Sequence, residues 1–263
     1  MDTNSQYIIT ILIALVCSVI PAFIWLFFWT REDKKNPEPK SMIALAFIGG
    51  AIAVSISLFL EKYFYGLGLS NLISSNIFSS MLSWFTTLAS QTNVPVDKIL
   101  LVTIFAPFIE ETSKFVMAYV LVLRAKCDDE PLDPMIYMIT TALGFAAIEN
   151  MLFLITSWDQ SHSIISGIFT ANMRFVGAML LHTISSAIIA LFMSFHFFDS
   201  KIKKILFTMV GIACAIIMHG IFNILMIGNQ SWSTFALELI WIIVIILLLA
   251  FEKIKQIKRE RVI

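Results

Sequence analysis

Seven stretches of this 263-residue chain are long and apolar enough to cross a bilayer, at 7–29, 41–60, 98–123, 134–157, 172–198, 204–227 and 233–252. A membrane-spanning helix needs about 20 mostly apolar residues. Inside lipid every backbone N–H and C=O must be satisfied within the protein, which leaves long apolar stretches little choice but to be helices. The predicted fold is therefore all-α, a polytopic bundle of about seven spans. The longest remaining piece, 61–97, has no room for a separate soluble domain, so 1–263 reads as a single transmembrane domain. Only 14% of the residues are charged, against about 25% in soluble proteins. That excludes a soluble enzyme, a disordered tail protein and a nucleic-acid binder.

Lysine plus arginine equals aspartate plus glutamate, at 18 each, so net charge identifies no partner and charge position must. Basic residues fall at 31–40, 124–133, 199–204 and 253–263, which an alternating seven-helix path puts on one side. By the preference of lysine and arginine for the cytoplasmic side, the N-terminus is expected outside and the C-terminus in the cytoplasm. The first span reads as an anchored helix and not a cleaved leader, since no basic residue precedes it and Arg31 to Lys35 follow. Cys17, Cys127 and Cys214 form no CxxC pair, so no disulfide framework is expected. Asn36-Pro37-Glu38-Pro39 reads as a rigid turn. Leu69–Leu88 alternates apolar and polar faces at helical spacing, which predicts an amphipathic helix on the outer leaflet.

Ionisable residues deep in a bilayer cost about 2.5–3.5 kcal/mol each and mark function by default. They concentrate in the third to sixth spans: Glu110, Glu111 and Lys114, then Glu149 beside Asn150, then Arg174 and His182, then His219 and Asn223. At about 1.5 Å of rise per residue, Glu110, Glu149, His182 and His219 fall at similar depths between midplane and outer leaflet. The expectation is a catalytic core of four helices, 98–227, around a hydrated cavity opening outward. Three carboxylates facing Lys114 and Arg174 leave one in excess, available to take a proton, hold a metal or act as a base. Lys114 reaches either Glu110 at i+4 or Glu111 at i+3. His219 and Asn223, at i and i+4, share a face and can donate two hydrogen bonds to a developing oxyanion. Gly144, Gly177, Gly211 and Gly220 allow close helix approach. Glu149 and Arg174 have a structural alternative, as an ion pair between the fourth and fifth spans, and His162 and His196 read as surface residues.

Four motifs in this order resemble a known family. Pro107-Phe108-Ile109-Glu110-Glu111-Thr112-Ser113-Lys114 is similar to the EExxK motif of the PrsW family of intramembrane proteases. Gly144-Phe145-Ala146-Ala147-Ile148-Glu149-Asn150 resembles its GFxxxEN motif, and Arg174 to His182 and His219-Gly220-Ile221-Phe222-Asn223 its third and fourth. A tyrosine is common three residues after the Asn; this chain has Phe153. The resemblance implies an endopeptidase that cuts single-pass membrane proteins, as in site-one cleavage of anti-sigma factors during stress signalling. By a further likeness to the CAAX prenyl proteases, Glu110 or Glu111 is the base that activates water. His182 then helps hold the water, and His219 with Asn223 forms the oxyanion hole. Lys114, Glu149, Asn150 and Arg174 support them. The family likeness favours Glu110, and the spacing to Lys114 favours Glu111.

Two other readings stand beside this one. Histidines and a glutamate form a common zinc set, so Glu110, Glu111, His182 and His219 are the candidate ligands if zinc is present. The absence of HExxH and the pairing of Asn223 with His219 favour a metal-free glutamate mechanism, so no cofactor is assigned and a zinc-dependent version of the same protease is the alternative. The same residue types also build ion- or proton-coupled transporters. Inverted repeats and paired broken helices, common in transporters, are absent from the sequence.

Overall fold

The computed structural model describes residues 3–33, 36–66, 87–92, 94–125, 127–161, 177–228 and 230–257. Among the described residues every regular element is helical. The long helices are α1 (Thr3–Thr30) and α2 (Lys40–Gly66), then α5 (Asp133–Ser161), α6 (Ala178–Phe195), α7 (Lys201–Ile227) and α8 (Gln230–Ile254). All six contain a segment long and apolar enough to cross a membrane. Between α2 and α5 come the short α3 (Val96–Leu100), a π-helical turn (Leu101–Phe105) and α4 (Ala106–Leu121). The amphipathic helix expected at Leu69–Leu88 lies almost wholly outside the described residues, as do Arg174 and His162.

The third expected span, 98–123, is a continuous helical path from Val96 to Leu121 with one π-turn set into it. The cause is Pro107. It has no N–H to close an α-turn on the Thr103 carbonyl, and its ring would crowd that carbonyl. The chain takes a wider turn, in which the Ala106 N–H reaches back to the Leu101 carbonyl. The Val102 carbonyl, which an α-turn would have used, is left available.

Helix α5 is the central element. Every residue from Leu132 to Ala147 is buried, with α1, α2 and α6 packed around it. A helix that is apolar on all faces is stable only when enclosed. Asp133, its first residue, ties down the preceding turn, accepting the backbone N–H groups of Asp129 and Glu130 at 2.7 and 2.6 Å. The crossing of α2 and α5 is backbone to backbone. A Cβ on Gly144 would lie 2.0 Å from the Phe47 carbonyl oxygen, and one on Gly50 1.9 Å from that of Thr141. Small residues at such crossings permit packing that lipid itself does not drive. The outward faces of α1 and α8 carry exposed Phe23, Phe27, Ile245 and Leu249, as lipid-facing surfaces do.

The turns after α1 and α4, the start of α5 and the end of α8 gather at one end of the bundle. Lys255 meets Glu32 and Glu252 at 2.6 Å each. Asn36 donates to Glu130, and the Tyr137 hydroxyl to Glu38. Burial, followed by the charges of Glu38 and Glu130, pushes the Asp33 carboxyl up to about 6. Burial and Glu38 push Asp128 up to about 7. His196 is half-buried against the Phe207 ring with Nδ1 at 2.7 Å from Asp199, more anchored than a free surface residue.

Candidate active site

Helix α4 presents its two glutamates to different surroundings. Glu111 points into protein and is fully buried. Its Oε1 accepts from Lys114 Nζ, Ser185 Oγ and His219 Nδ1, each at 2.7 Å. Lys114 is also fully buried, lies over the Phe145 ring at 5.1 Å and reaches His182 Nδ1 at 3.1 Å. Glu111 is therefore the anchor that joins α4, α6 and α7. A buried charge is tolerable only when paired and hydrogen-bonded in this way.

Glu110, about 100° around the helix, faces a cavity of about 400 Å³ lined also by His182, His219, Glu149 and Asn223. Its Oε2 is buried without a hydrogen-bond partner among the described residues. That oxygen lies 3.9 Å from His182 Nδ1 and 3.8 Å from His219 Nε2. The far nitrogen of each imidazole is occupied by a carboxylate. His182 Nε2 is 3.0 Å from Glu149, and His219 Nδ1 is 2.7 Å from Glu111. A carboxylate fixes the proton on the nitrogen it faces. His219 then turns an unprotonated Nε2 toward Glu110, and the unprotonated Nδ1 of His182 accepts from Lys114. The two rings meet nearly at right angles, with centroids 5.2 Å apart.

This arrangement fits a metal. One ligand atom each from Glu110, His182 and His219 lies within 4.8 Å of the other two. Two histidines and a glutamate are a known catalytic donor set, and a carboxylate behind each ligating histidine is the usual outer support. Of the four residues the sequence offered to a metal, Glu111 does not join the group, because its reachable oxygen is committed to three donors.

Asn223 donates its side-chain N–H to the Val102 carbonyl at 2.9 Å, the group that the π-turn released. Gly220 packs against the same turn, where a Cβ would lie 2.3 Å from the Thr103 carbonyl oxygen. His219 and Asn223 do share a face, but the histidine gives its N–H to Glu111. Asn150 is buried. Gly177 precedes α6, its carbonyl accepting the Leu181 N–H. Three contributors escaped sequence reasoning. Ser185 carries no charge to flag it. Ser57 and Glu61 line the cavity from α2, where Glu61 stood one residue beyond the apolar stretch at 41–60. Their signal is the spacing Val54, Ser57, Leu58, Glu61, one face of a helix.

A family model described as PrsW family intramembrane metalloprotease matches residues 38–250. The chain belongs to this family. Protease PrsW of Geobacillus kaustophilus (strain HTA426) is 25% identical over 247 residues, covering 91% of this chain and 90% of the relative. The Clostridioides difficile (strain 630) protease is 24% identical over 229 residues, covering 87% and 84%. That of Bacillus subtilis (strain 168) is 21% identical over 219 residues, covering 83% and 85%. No solved structure matches the chain. The PrsW resemblance seen in four motifs thus extends over most of the sequence. The chain is a multi-pass membrane peptidase, and the family's description as metalloproteases agrees with the convergent Glu110, His182 and His219.

Proposed function

We propose that this peptidase hydrolyses a peptide bond of single-pass membrane proteins, anti-sigma-factor-like substrates in a site-one cleavage, with water activated at Glu110. The observation that carries this reading is the buried Glu110 oxygen, without a hydrogen-bond partner among the described residues and flanked by a ring nitrogen of His182 and of His219 at the cavity. A water between them gives a proton to Glu110 as its oxygen bonds to the scissile carbonyl carbon. The carbonyl oxygen takes up negative charge, and Asn223 retains a second amide N–H to receive it. Glu110 then passes the proton to the leaving nitrogen as the C–N bond breaks. His219 orients the water by accepting its second O–H at Nε2, while His182, held between Glu149 and Lys114, walls the site, so the donor role expected of His219 falls to Asn223. Lys114, Glu111 and Ser185 hold both rings in place, and Glu149 fixes His182. Zinc is the ion this donor set commonly takes; Glu110, His182 and His219 would hold it, and when bound it supplies a Lewis acid.

The catalytic core is proposed as 98–227 with α2 as an added wall. The orientation proposed is N-terminus outside and C-terminus cytoplasmic, which opens the cavity away from the basic loops. Mass spectrometry of membrane-protein N-termini tests the reading in cells carrying wild type or Glu110→Gln. New termini near single spans, present with wild type alone, are expected. Identical termini under stress, with the protein expressed, would overturn it and favour transport. Metal analysis of the two purified proteins separates the roles of Glu110. A bound metal lost with Glu110→Gln makes Glu110 a ligand; unchanged metal content leaves it the base.

A further inference from the structure

The cavity extends beyond the convergent group along α2. Val54, Ser57 and Glu61 line it, spaced over about 10 Å of helix. Val54 packs against Phe145 and closes the inner part of this wall. Two turns further on, Glu61 is half-buried and makes no hydrogen bond or ion pair with a described residue. Ser57, between them, is 1% exposed, and its hydroxyl has no hydrogen-bond partner among the described residues. A buried hydroxyl and a carboxylate on one stripe, both turned to the cavity, are costly unless something polar arrives. Glu61 is not part of the group that converges at Glu110.

The character of the lining says what arrives. It includes three carboxylates, Glu61, Glu110 and Glu149, and no lysine or arginine among the described residues. Lys114 is buried behind the site and does not line it. Such a wall attracts a cation and repels an acidic segment. Basic residues are scarce on the non-cytoplasmic flanks of membrane spans. A carboxylate at the end of the bundle away from the basic loops therefore separates a few polypeptides from many.

We propose that Glu61 is a specificity-determining residue, its carboxylate receiving a lysine or arginine side chain that the substrate carries beside the scissile bond, with Ser57 completing the contact. This rests on the peptidase reading above, and the experiment keeps the two apart. The full chain is placed in nanodiscs with single-span peptides identical except for lysine, glutamine or glutamate at successive positions on the non-cytoplasmic flank. Cleavage is measured as kcat/KM for wild type, Glu61→Gln and Glu61→Lys. Binding of the same peptides to Glu110→Gln, with and without Glu61→Gln, is measured separately.

At one flank position wild type is expected to prefer lysine over glutamine by about tenfold, the scale of a charge-assisted contact in a poorly hydrated site. Glu61→Gln brings that ratio near one, and Glu61→Lys inverts it toward glutamate. A ratio unchanged by Glu61→Gln, or a uniform loss across all peptides, overturns the proposal and makes Glu61 a structural charge, while the peptidase reading stands. If no peptide is cleaved but lysine binds preferentially and the preference vanishes with Glu61→Gln, the recognition stands and the peptidase reading fails. Equal binding of all three flanks overturns the recognition.

Discussion

Two adjacent glutamates in one helix do opposite work because their neighbours differ. Glu111 gathers Lys114, Ser185 and His219 on one oxygen, whereas Glu110 lines the cavity and Glu111 does not. Lys114→Met is expected to leave the Glu111 charge buried without its cation and to destabilise the protein by about 3–5 kcal/mol. Ser185→Ala removes one of three donors and is expected to cost about 1 kcal/mol. Thermal unfolding in detergent checks both, and equal effects would deny the anchor role. The sequence placed both glutamates within reach of Lys114 but not which one took it. That choice depends on Ser185 and His219 arriving from α6 and α7, which spacing within α4 does not encode. At the other end, Asp33 and Asp128 have folded-state values raised to about 6 and about 7. The folded protein thus binds more protons than the unfolded chain from about pH 4 upward. Stability falls as pH rises through that window and levels off above about pH 7. Asp33→Asn and Asp128→Asn are expected to flatten the profile, measured by unfolding at pH 5 and pH 8.

Among the elements, the apolar spans and their helical nature were legible because lipid permits so little else. The π-turn within the third span was not, although Pro107 was in plain view. Proline inside a membrane helix ends it, kinks it or widens a turn, and the outcome depends on what meets the freed carbonyls. Here Asn223 donates to the Val102 carbonyl and Gly220 makes room at Thr103. Pro107→Ala restores an N–H to the turn, so an α-helical register is expected to compete and draw Val102 away from Asn223. Cleavage should then fall more than stability does; unchanged cleavage would detach the π-turn from the site. Gly144 was expected at a close approach and lies at one, yet its counterpart Gly50 in α2 went unread, because a glycine's partner is set by the crossing and not by its own helix. Gly144→Leu is expected to wedge α2 from α5, costing at least the 1–3 kcal/mol typical of overpacking.

Taken whole, the molecule encloses one helix, α5, and surrounds it with helices whose outer faces suit lipid. Glu110, Glu149, His182 and His219 line one cavity, which also needs α2 for a wall. The proposed orientation predicts that a cysteine at Lys201, in a background lacking Cys17, Cys127 and Cys214, reacts with an impermeant maleimide in inverted vesicles and not in intact cells. The reverse would turn the cavity toward the cytoplasm. The most direct measurement of the central claim uses the full chain in nanodiscs with a single-span substrate, comparing cleavage and unfolding temperature for Glu110→Gln and Glu111→Gln. The account predicts that Glu110→Gln abolishes cleavage while leaving unfolding near wild type, and that Glu111→Gln lowers the unfolding temperature markedly. Cleavage retained by Glu110→Gln in a folded protein would contradict it.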